Sequence, residues 1–360
     1  MTAITDDPLI LGIETSCDET AAAITRGPTR VLSNVIATQH ELHRRYAGVV
    51  PEIASRAHLQ RILPVVREAL GEAGVGFRDL DGVGVCHRPG LIGSLLVGTS
   101  AAKALAWSLR TPLFGVDHIA AHLHAGLLEA DPVVYPALGL VVSGGHTSLL
   151  LAQGPLQIQL LGRTIDDAVG EAFDKAATIL GLGYPGGPEL ERAARSGDGE
   201  AHRFPVAMLE ADSLDFSFSG LKTALLYAAC GQPRSRGDRK RYTRPATHLT
   251  GQERNDLAAA FQRAAITAIQ RKLSRALERH RVRTILAGGG VTANRALRST
   301  LNELADAWDL DLRLPKMEYC VDNAAMIAGL AACKLAAGEF DHLSLSAATA
   351  SEVVSGRVVV

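Results

Sequence analysis

The chain has 360 residues with 47% hydrophobic and 4% aromatic residues, enough for two domains whose cores are built mainly from Ala, Val, Leu and Ile. A formal net charge of −1 excludes a strongly basic nucleic-acid-binding protein, and five scattered cysteines without a Cys-x-x-Cys pair argue against a disulfide framework. No signal peptide is recognisable and no uncharged apolar run reaches membrane-spanning length, so we expect a soluble cytoplasmic protein without a membrane partner.

Two hairpins of the same form indicate an internal duplication. Residues 9–14 and 20–25 are predicted strands around a polar turn, and residues 138–142 and 147–152 are predicted strands around Ser143-Gly144-Gly145-His146. Each hairpin has the order strand, small polar turn, threonine, strand. An ordinary antiparallel hairpin gives a similar pattern, but one hairpin in each half of the chain favours two related lobes.

The rest of the chain alternates between helices and short strands. The periodicity predicts helices over 53–73, 92–109, 166–180, 189–195, 221–229, 250–280, 292–306 and 322–337, and strands over 81–86, 112–116, 282–286 and 310–314. This alternation predicts an α/β protein, with two lobes that meet near residues 129–136.

A histidine pair is the first candidate for chemistry. His118 and His122 are four residues apart, so in a helix both imidazoles leave the same face and suit one divalent metal. Ile119 stands where His-Glu-x-x-His proteases carry their general base, which argues against peptide hydrolysis by that mechanism. Asp322 is a candidate third ligand, although an Asp before an apolar helix is also a common N-cap. His124 nearby leaves open that this segment is simply rich in histidine.

The turn after the first strand concentrates carboxylates. Residues 12–20 hold three acids and three hydroxyl side chains around one turn. Such a turn is common on protein surfaces. The functional alternative is that its amides and hydroxyls meet a phosphate, while a carboxylate such as Asp18 orients a metal, a water or a nucleophile.

Glycine-rich loops follow two predicted strands. Gly144 and Gly145 allow a ligand close approach to the backbone, although a plain hairpin turn explains one or two glycines. Three glycines at 288–290 leave room for a base or ribose, and Asn294 after them suits either a ligand or the helix end. A helix with an acidic face places Asp174 where a cleft with Gly187 would suit ribose hydroxyls; a solvated face is the alternative.

Two basic features are less specific. Lys222 follows two aromatics and two hydroxyls at a helix start, where packing under a loop competes with contact to a phosphate. The segment 231–248 carries six cations between residues 234 and 244, with Asp238 the only acid among them. It is interpreted either as a solvated loop or as a contact to the phosphates of RNA or of a partner's ligand.

Together these segments resemble one family, the bacterial tRNA N6-adenosine threonylcarbamoyltransferases, once called O-sialoglycoprotein endopeptidases. The resemblance covers roughly residues 9–340 in family order. Its motifs are residues 11–20, 50–58, 118–122, 142–147, 170–175, 183–188, 216–223, 288–295 and 319–323. Two departures stand out: Arg88 opens a loop that usually reads Gly-Pro-Gly-Leu, and residues 231–248 look like an insertion.

The resemblance implies a fold and a reaction. The fold is the two-lobed α/β type of actin, sugar kinases and heat-shock ATPases, with duplicated RNase H-like domains. It places the first lobe at residues 1–130, the second at 131–321 with the insertion, and a C-terminal helix at about 322–340 back on the first lobe. The reaction transfers threonylcarbamoyl from threonylcarbamoyl-AMP to the N6 amine of the adenosine 3′ of a tRNA anticodon, for codons beginning with A.

The resemblance also implies the site. Metal ligands would be His118, His122 and Asp322, binding Fe²⁺ or, as a substitute, Zn²⁺. The nucleotide, threonylcarbamoyl-AMP or ATP or ADP with Mg²⁺, would contact Val141, Val142, Ser143, Gly144, Gly145, Asp174, Gly187 and Asn294. Asp18 and Glu19 are the candidates that position the attack.

Partners follow from the same resemblance. They are tRNA, a paralogous TsaB-like protein that dimerises with the first lobe, a small TsaE-like ATPase, and a separate synthetase that supplies threonylcarbamoyl-AMP. The apolar helices 53–73 and 92–109 are candidates for the paralogue's interface, although burial in the lobe explains them as well. A metalloprotease, or a small-molecule kinase or ATPase with Asp18 as its acid, remains the alternative.

Overall fold

The computed structural model describes residues 7–46, 48–206, 212–232, 234–236, 239–241, 249–351 and 353. Its strands are β1 Leu9–Glu14, β2 Glu19–Arg26, β3 Arg30–Thr38, β4 Gly82–Arg88, β5 Leu113–Asp117, β6 Ala137–Val142, β7 Thr147–Ala152, β8 Ile158–Arg163, β9 Arg234–Arg236, β10 Arg239–Arg241, β11 Thr284–Gly288 and β12 Asp311–Arg313. Its helices are α1 His40–His43, α2 Pro51–Ala73, α3 Ile92–Leu109, α4 His118–Ala125, α5 Val169–Leu180, α6 Gly186–Ala194, α7 Ser219–Cys230, α8 Gly251–Arg279, α9 Arg295–Trp308 and α10 Ala325–Ala336.

Two five-stranded sheets have the same topology. Their orders are β3-β2-β1-β4-β5 and β8-β7-β6-β11-β12. In each sheet the first three strands are antiparallel, and the hairpin's first strand pairs in parallel with the next strand of the same lobe. The duplication predicted from the two hairpins is therefore confirmed, together with the two-lobed fold.

Helices α2, α3 and α10 cover the first sheet. α2 contacts β2 and β3, α3 contacts β4, and α10 contacts β1, β2, β4 and β5. The last contact needs glycine in the strands, because a Cβ on Gly12 would lie 2.2 Å from the Ala324 carbonyl oxygen and one on Gly84 would lie 2.7 Å from the Ala331 Cβ. α10 thus returns to the first sheet after the chain has built the second.

Helix α4 lies between the two sheets. It follows β5 directly and contacts β6, β11 and α10. A Cβ on Gly288 would lie 1.8 Å from the carbonyl oxygen of His122, so glycine at the end of β11 allows this close packing. The largest core, which holds Phe173 and Phe261, lies in the second lobe beneath α5, α7, α8 and α9.

Several predicted boundaries were wrong. Strands β3 and β8 were not predicted, since most of their residues are half-buried and lack a clear alternation. α5 begins at Val169 rather than at residue 166. α9 begins at Arg295, after its cap Asn294, and α10 begins at Ala325 rather than at residue 322. At α10, Asn323 rather than Asp322 accepts a hydrogen bond from a backbone amide of the first turn.

Helix α3 bears on the prediction that no segment spans a membrane, and the basic segment 231–248 was predicted to be a loop or a phosphate contact. α3 is long and apolar enough to satisfy the length and composition criteria for a membrane span, and core helices of soluble proteins satisfy them too. Within the basic segment 231–248, β9 and β10 form an antiparallel ribbon. Residues 233, 237–238 and 242–248, which include Arg244, lie outside the described residues.

Candidate active site

The predicted metal ligands lie together. The Oδ1 atom of Asp322 is 3.5 Å from Nε2 of His118 and 3.2 Å from Nε2 of His122. The two imidazole rings are 4.3 Å apart between centroids, and one ligand atom from each residue lies within 4.8 Å of the others. Helical spacing aligns the histidines, and the start of α10 brings the carboxylate from a position two hundred residues later.

Asp117 fixes the helix that carries both histidines. Its Oδ1 atom accepts hydrogen bonds from the amides of Ile119 at 2.9 Å and Ala120 at 3.4 Å. These amides belong to the first turn of α4, where backbone N–H groups have no acceptor within the helix. Its other oxygen accepts a 2.6 Å hydrogen bond from Ser351 near the end of the described chain. The strand-to-helix junction is therefore held from both sides.

Glu14 was not predicted as part of the site. Its Oε2 atom lies 3.0 Å from Nδ1 of His118, and its Oε1 atom accepts a 2.5 Å hydrogen bond from the Ser16 amide. The carboxyl group is fully buried at the end of β1. A carboxylate on the far nitrogen orients a ligating imidazole and raises its basicity. The sequence signal was an acid that ends a buried strand.

The histidine and Asp322 charges are coupled. Burial lowers the pKa of His118, but the charges of Asp322 and Glu14 outweigh burial and raise that pKa to about 9. Burial and the neighbouring His118 lower the pKa of His122. Burial raises the pKa of Asp322, yet His118 and His122 together hold it well below its usual range. An ionised Asp322 and a neutral His122 are forms that a divalent metal binds, whereas His118 would release its proton on binding.

His122 supplies the test of whether a metal fits. Its side chain is fully buried, and among the described residues neither ring nitrogen has a hydrogen-bond partner with acceptable geometry, in spite of the 3.2 Å approach to Asp322. A buried polar atom without a partner is costly. Two imidazoles and one carboxylate form the donor set of known Zn²⁺ and non-haem Fe²⁺ sites. The residues present therefore fit a divalent metal.

The glycine turn of the second lobe faces the same place. The ring of His146 lies 6.3 Å from that of His118, and its pKa is lowered to about 4 by burial and by the charges of His118 and His122. Ser143 and His146 close the turn through a 2.8 Å backbone hydrogen bond. A Cβ on Gly144 or Gly145 would meet nothing within 4 Å. The backbone is therefore open to a ligand beside the histidine cluster.

Other glycines serve packing. A Cβ on Gly170 would lie 2.5 Å from the Ser143 carbonyl oxygen, so the start of α5 is held against the turn. Gly289 has φ +94° and its Cβ would lie 2.4 Å from the Val142 carbonyl oxygen, which binds the 288–290 loop to the end of β6. Only Gly290 of that loop would place a Cβ in open space.

Two further predicted residues have partners within the protein. The Oδ1 atom of Asp174 accepts a 3.1 Å hydrogen bond from the Gly187 amide, and burial raises the pKa of Asp174. Asn294 caps α9 by accepting from the Leu297 amide at 3.0 Å, and its Nδ2 donates to Gln262 at 2.7 Å. The predicted cleft contact of Asp174 with Gly187 exists, whereas the Asn294 side chain holds the helix end.

Asp18 and Glu19 form a second cluster with His40. The His40 Nε2 atom lies 3.3 Å from Glu19 Oε1 and 3.9 Å from Asp18 Oδ2. Burial raises the pKa of Glu19 to about 8 against the lowering effect of its hydrogen bond to His40. The same hydrogen bond raises the pKa of His40. Nothing in the composition around residue 40 indicated this role.

The remaining acids and Lys222 form a separate network. Asp167 bonds to Lys175 at 2.7 Å and to Lys222 at 2.8 Å, and Glu171 also pairs with Lys175. Asp167 precedes α5, so within the helix the acidic residues are Glu171 and Asp174. Asp166 accepts hydrogen bonds from the hydroxyls of Ser217 and Ser219 and from the amides of Phe218 and Ser219. This network joins the start of α7 to the start of α5.

Comparison with known proteins places the chain in a family. Residues 30–329 match the family model of tRNA N6-adenosine threonylcarbamoyltransferase. A relative of that name from Symbiobacterium thermophilum is 50% identical over 339 residues, which cover 94% of this chain and 95% of the relative. One from Trichlorobacter lovleyi is 48% identical over 340 residues, covering 94% and 95%.

Solved structures support the fold alone. Full-length HypF in its phosphate- and nucleotide-bound form gives a TM-score of 0.57 at 13% identity, over 95% of this chain and 47% of that protein. Component A of the (R)-2-hydroxyglutaryl-CoA dehydratase of Acidaminococcus fermentans gives 0.52 at 14% identity, over 92% and 99%. On the sequence matches, the chain belongs to the tRNA N6-adenosine threonylcarbamoyltransferase family.

Proposed function

We propose that this protein transfers the threonylcarbamoyl group from threonylcarbamoyl-AMP to the N6 amine of the adenosine 3′ of the anticodon, in tRNAs that read codons beginning with A. The observation that carries the proposal is the 6.3 Å separation of the His118 and His146 rings. It places the metal-type cluster beside the open glycine turn. Positioning an activated adenylate next to a charge-stabilising group is most of what this reaction requires, because AMP leaves readily.

His118, His122 and Asp322 would hold one divalent metal, Fe²⁺ by preference and Zn²⁺ as a substitute. When bound, the metal supplies Lewis acidity toward an oxygen of the threonylcarbamoyl group. Glu14 keeps His118 in the orientation that this requires through its 3.0 Å contact to Nδ1. Support comes from buried His122, whose ring nitrogens have no hydrogen-bond partner of good geometry among the described residues although Nε2 lies 3.2 Å from Asp322.

The adenylate would lie along the second-lobe turn. The turn after β6 would meet its phosphate, since a Cβ on Gly144, Gly145 or Gly187 would meet nothing within 4 Å. Asp174, held by the Gly187 amide, suits the ribose hydroxyls. Asn294 would act indirectly, by holding the start of α9, because both the oxygen and the nitrogen of its amide are already hydrogen-bonded within the protein. ATP or ADP with Mg²⁺ would use the same cleft.

Glu19 would take the proton of the attacking amine, with Asp18 as its neighbour. The N6 nitrogen forms a bond to the carbamoyl carbon, the carbon–oxygen bond to the phosphate breaks, and AMP leaves with the electron pair. The amine proton passes to Glu19 and then to solvent. An exocyclic adenine amine is a weak nucleophile, so a positioned base contributes roughly 10²- to 10⁴-fold.

The basic ribbon β9–β10 is our proposal for one tRNA contact. In its register Arg234 lies opposite Arg241 and Arg236 lies opposite Arg239. Like charges on directly opposed residues disfavour a hairpin. A bound phosphate backbone would neutralise them and make binding salt-dependent.

Exposed apolar residues on α2 and α3 suit the paralogous partner. Leu59 and Leu63 are one turn apart on α2, and Leu96 and Trp107 project from α3, with Trp107 72% exposed. The helices pack together, so these residues lie on adjoining elements. Exposed apolar residues in such number favour a protein interface. We place the protein in the cytoplasm, where the paralogue, the small ATPase and the synthetase would act with it.

The alternative activities find less support. A protease would need a carboxylate free beside the histidines, but Ile119, Ala120 and Ala121 separate them and Glu14 is engaged by His118 and Ser16. A kinase of this fold has no use for the buried histidine cluster. Neither alternative accounts for the buried His122 beside Asp322, at 3.2 Å between Nε2 and Oδ1.

The test uses the complete reaction. Purified protein is incubated with unmodified tRNA, threonine, bicarbonate, ATP, the synthetase and both partner proteins, and digested nucleosides are analysed by mass spectrometry. We expect threonylcarbamoyladenosine only when this protein is present. If threonylcarbamoyladenosine is absent when the folded, metal-loaded protein and the full partner set are present, the proposed function is refuted.

A further inference from the structure

His40 occupies a place that the strand register determines. Thr38, the last residue of β3, pairs with Glu19, the first residue of β2, and the Gln39 amide donates to the Asp18 carbonyl oxygen at 3.1 Å. The chain then turns into α1, so the next side chain lies over the acidic turn. Its Nε2 atom reaches Glu19 Oε1 at 3.3 Å. A histidine at this position therefore meets Glu19 because of the backbone that carries it.

His40 also touches the second lobe. Its ring centroid lies 6.2 Å from that of Tyr184 in an edge-to-face arrangement with an interplanar angle of 88°. Tyr184 belongs to the loop between α5 and α6, next to Gly187. Edge-to-face contact is one of the arrangements that aromatic rings favour. The imidazole is thus a bridge from the acidic turn of one lobe to the nucleotide loop of the other.

Glu19 needs such a partner. It is 9% exposed, burial raises its pKa to about 8, and the charges of Asp18 and Asp322 add to that rise. A carboxyl group with that pKa is mostly protonated at neutral pH, and this value already includes the effect of the hydrogen bond from His40. The hydrogen bond from His40 works in the opposite direction.

We propose that His40 is a positioning residue that favours the ionised form of Glu19 and fixes its carboxyl group in the cleft, and that its contact with Tyr184 links this state to the position of the second lobe. The inference rests on the proposed function for its catalytic meaning. His40 itself does not touch the reacting atoms. It acts through Glu19.

Other titratable groups face His40. Asp18 lies 3.9 Å away in the same turn, and Asp174 on α5 acts through its charge. Tyr184 has a pKa raised to about 12, chiefly by burial, so it stays neutral over the working range. Cys17 has a pKa raised well above its ordinary value by burial and Asp18, so it stays a thiol. The carboxylates favour protonated His40, and neither neutral group opposes it.

The sign of the pH effect follows. The transfer needs ionised Glu19, so activity falls as the pH drops through the titration of the Glu19–His40 pair. Without His40, the pKa of Glu19 rises further and that fall begins at higher pH. We expect His40→Ala to move the acid limb of kcat upward by about one pH unit, which is about tenfold in rate on that limb. KM for threonylcarbamoyl-AMP and tRNA should stay unchanged.

The variants separate positioning from structure. His40→Lys restores a cation and should recover most of the acid limb, whereas Tyr184→Ala should shift the limb in the same direction as His40→Ala by a smaller amount. His342→Ala, at an exposed histidine near the chain's end, is the matched control and should leave the profile unchanged. A loss of kcat in His40→Ala without movement of the limb would overturn the proposal.

A second readout is independent of activity. The ¹³Cε1 resonance of His40, assigned by its loss in His40→Ala, is titrated in the wild type and in Glu19→Gln. We expect the His40 midpoint to fall toward its ordinary value in Glu19→Gln. An unchanged midpoint would refute the pairing even if threonylcarbamoyladenosine is formed. A shifted midpoint without product formation would leave the pairing standing and refute the proposed function.

Discussion

The two hairpin turns occupy the same place in two sheets of the same topology, yet they are built for different tasks. The turn after β1 is buried and carries Glu14, Asp18 and Glu19, whereas the turn after β6 exposes Gly144 and Gly145. Both approach the same histidine, since Ser16 Oγ lies 3.4 Å from His118 Nδ1 and His146 lies 6.3 Å from its ring. One copy supplies side-chain chemistry and the other supplies bare backbone for a ligand.

The largest expected effect comes from replacing His118, which both turns approach. His118→Ala removes a proposed metal ligand. We expect metal affinity to fall by at least about 100-fold, because the loss of an outer-shell partner alone costs 10- to 100-fold. Product formation should fall with it. Metal content is measured by elemental analysis after dialysis, and product by nucleoside mass analysis.

His124→Gln is the matched control on the same helix. His124 is buried and its Nε2 lies 2.7 Å from the Pro28 carbonyl oxygen, away from the cluster. This variant should retain its metal while it loses about 1 kcal/mol of stability from an altered buried hydrogen bond. Normal metal content in His118→Ala would remove His118 from the ligand set.

The next largest effect tests the turn after β1, which carries the acidic side chains. Glu19→Gln should lower kcat by about 100-fold or more without weakening adenylate binding, since it removes the proton acceptor alone. Asp18→Asn should have a smaller effect if Glu19 is the base. The two variants are compared by single-turnover rates and by equilibrium binding of a non-hydrolysable adenylate analogue. A larger loss in Asp18→Asn would reverse the assignment.

The backbone turn is tested by adding a side chain where only a ligand would meet it. Gly145→Val should keep the melting temperature, because its Cβ meets nothing within 4 Å. Adenylate affinity should fall about 10- to 100-fold, equivalent to the loss of one charge-assisted hydrogen bond of roughly 1.5–3 kcal/mol.

Gly289→Ala is the contrasting variant. Its backbone has φ +94° and its Cβ would lie 2.4 Å from the Val142 carbonyl oxygen, so the protein itself should be destabilised. Binding is measured by calorimetry and stability by thermal unfolding. Unchanged adenylate affinity in Gly145→Val would show that the ligand does not use this turn.

The smallest effect concerns a network outside both turns. Asp167→Asn removes its bonds to Lys175 and Lys222 and should cost at most about 1 kcal/mol, because such half-exposed pairs contribute little. The lysine partners outweigh burial and lower the pKa of Asp167 in the folded state. Its contribution is therefore present above its ordinary pKa and lost as pH falls below it. Denaturant unfolding of the wild type and of Asp167→Asn at pH 7 and pH 3 measures this contribution. An equal difference in unfolding free energy between the two proteins at both pH values would contradict the prediction.

The sequence predicted the turns better than their surroundings. Spacing alone aligned His118 with His122, and glycines after a buried strand marked residues 144 and 145. The contact of Asp322 with the histidines depends on α10 returning to the first sheet, which the spacing of residues cannot give. The partnership of Glu19 with His40 depends on the register of β3, a strand whose half-buried pattern gave no signal.

Capping residues explain the other differences. Asp322 and Asn294 each precede an apolar helix, and both patterns suit an N-cap as well as a ligand. In the structure Asn294 caps its helix while Asn323, not Asp322, serves α10. Only three-dimensional contacts distinguish a helix cap from a ligand-binding residue here, because both roles suit an Asp or Asn at the start of a helix.

The most direct test of the division between the two turns is one single-turnover experiment. Metal-loaded protein with its partners receives preformed threonylcarbamoyl-AMP and unmodified tRNA, and modified nucleoside and AMP are both quantified. The wild type should release one AMP for each threonylcarbamoyladenosine formed, Gly145→Val should bind the adenylate about 10- to 100-fold more weakly, and Glu19→Gln should bind it normally and transfer at least about 100-fold more slowly. Transfer at the wild-type rate by Glu19→Gln would contradict the account.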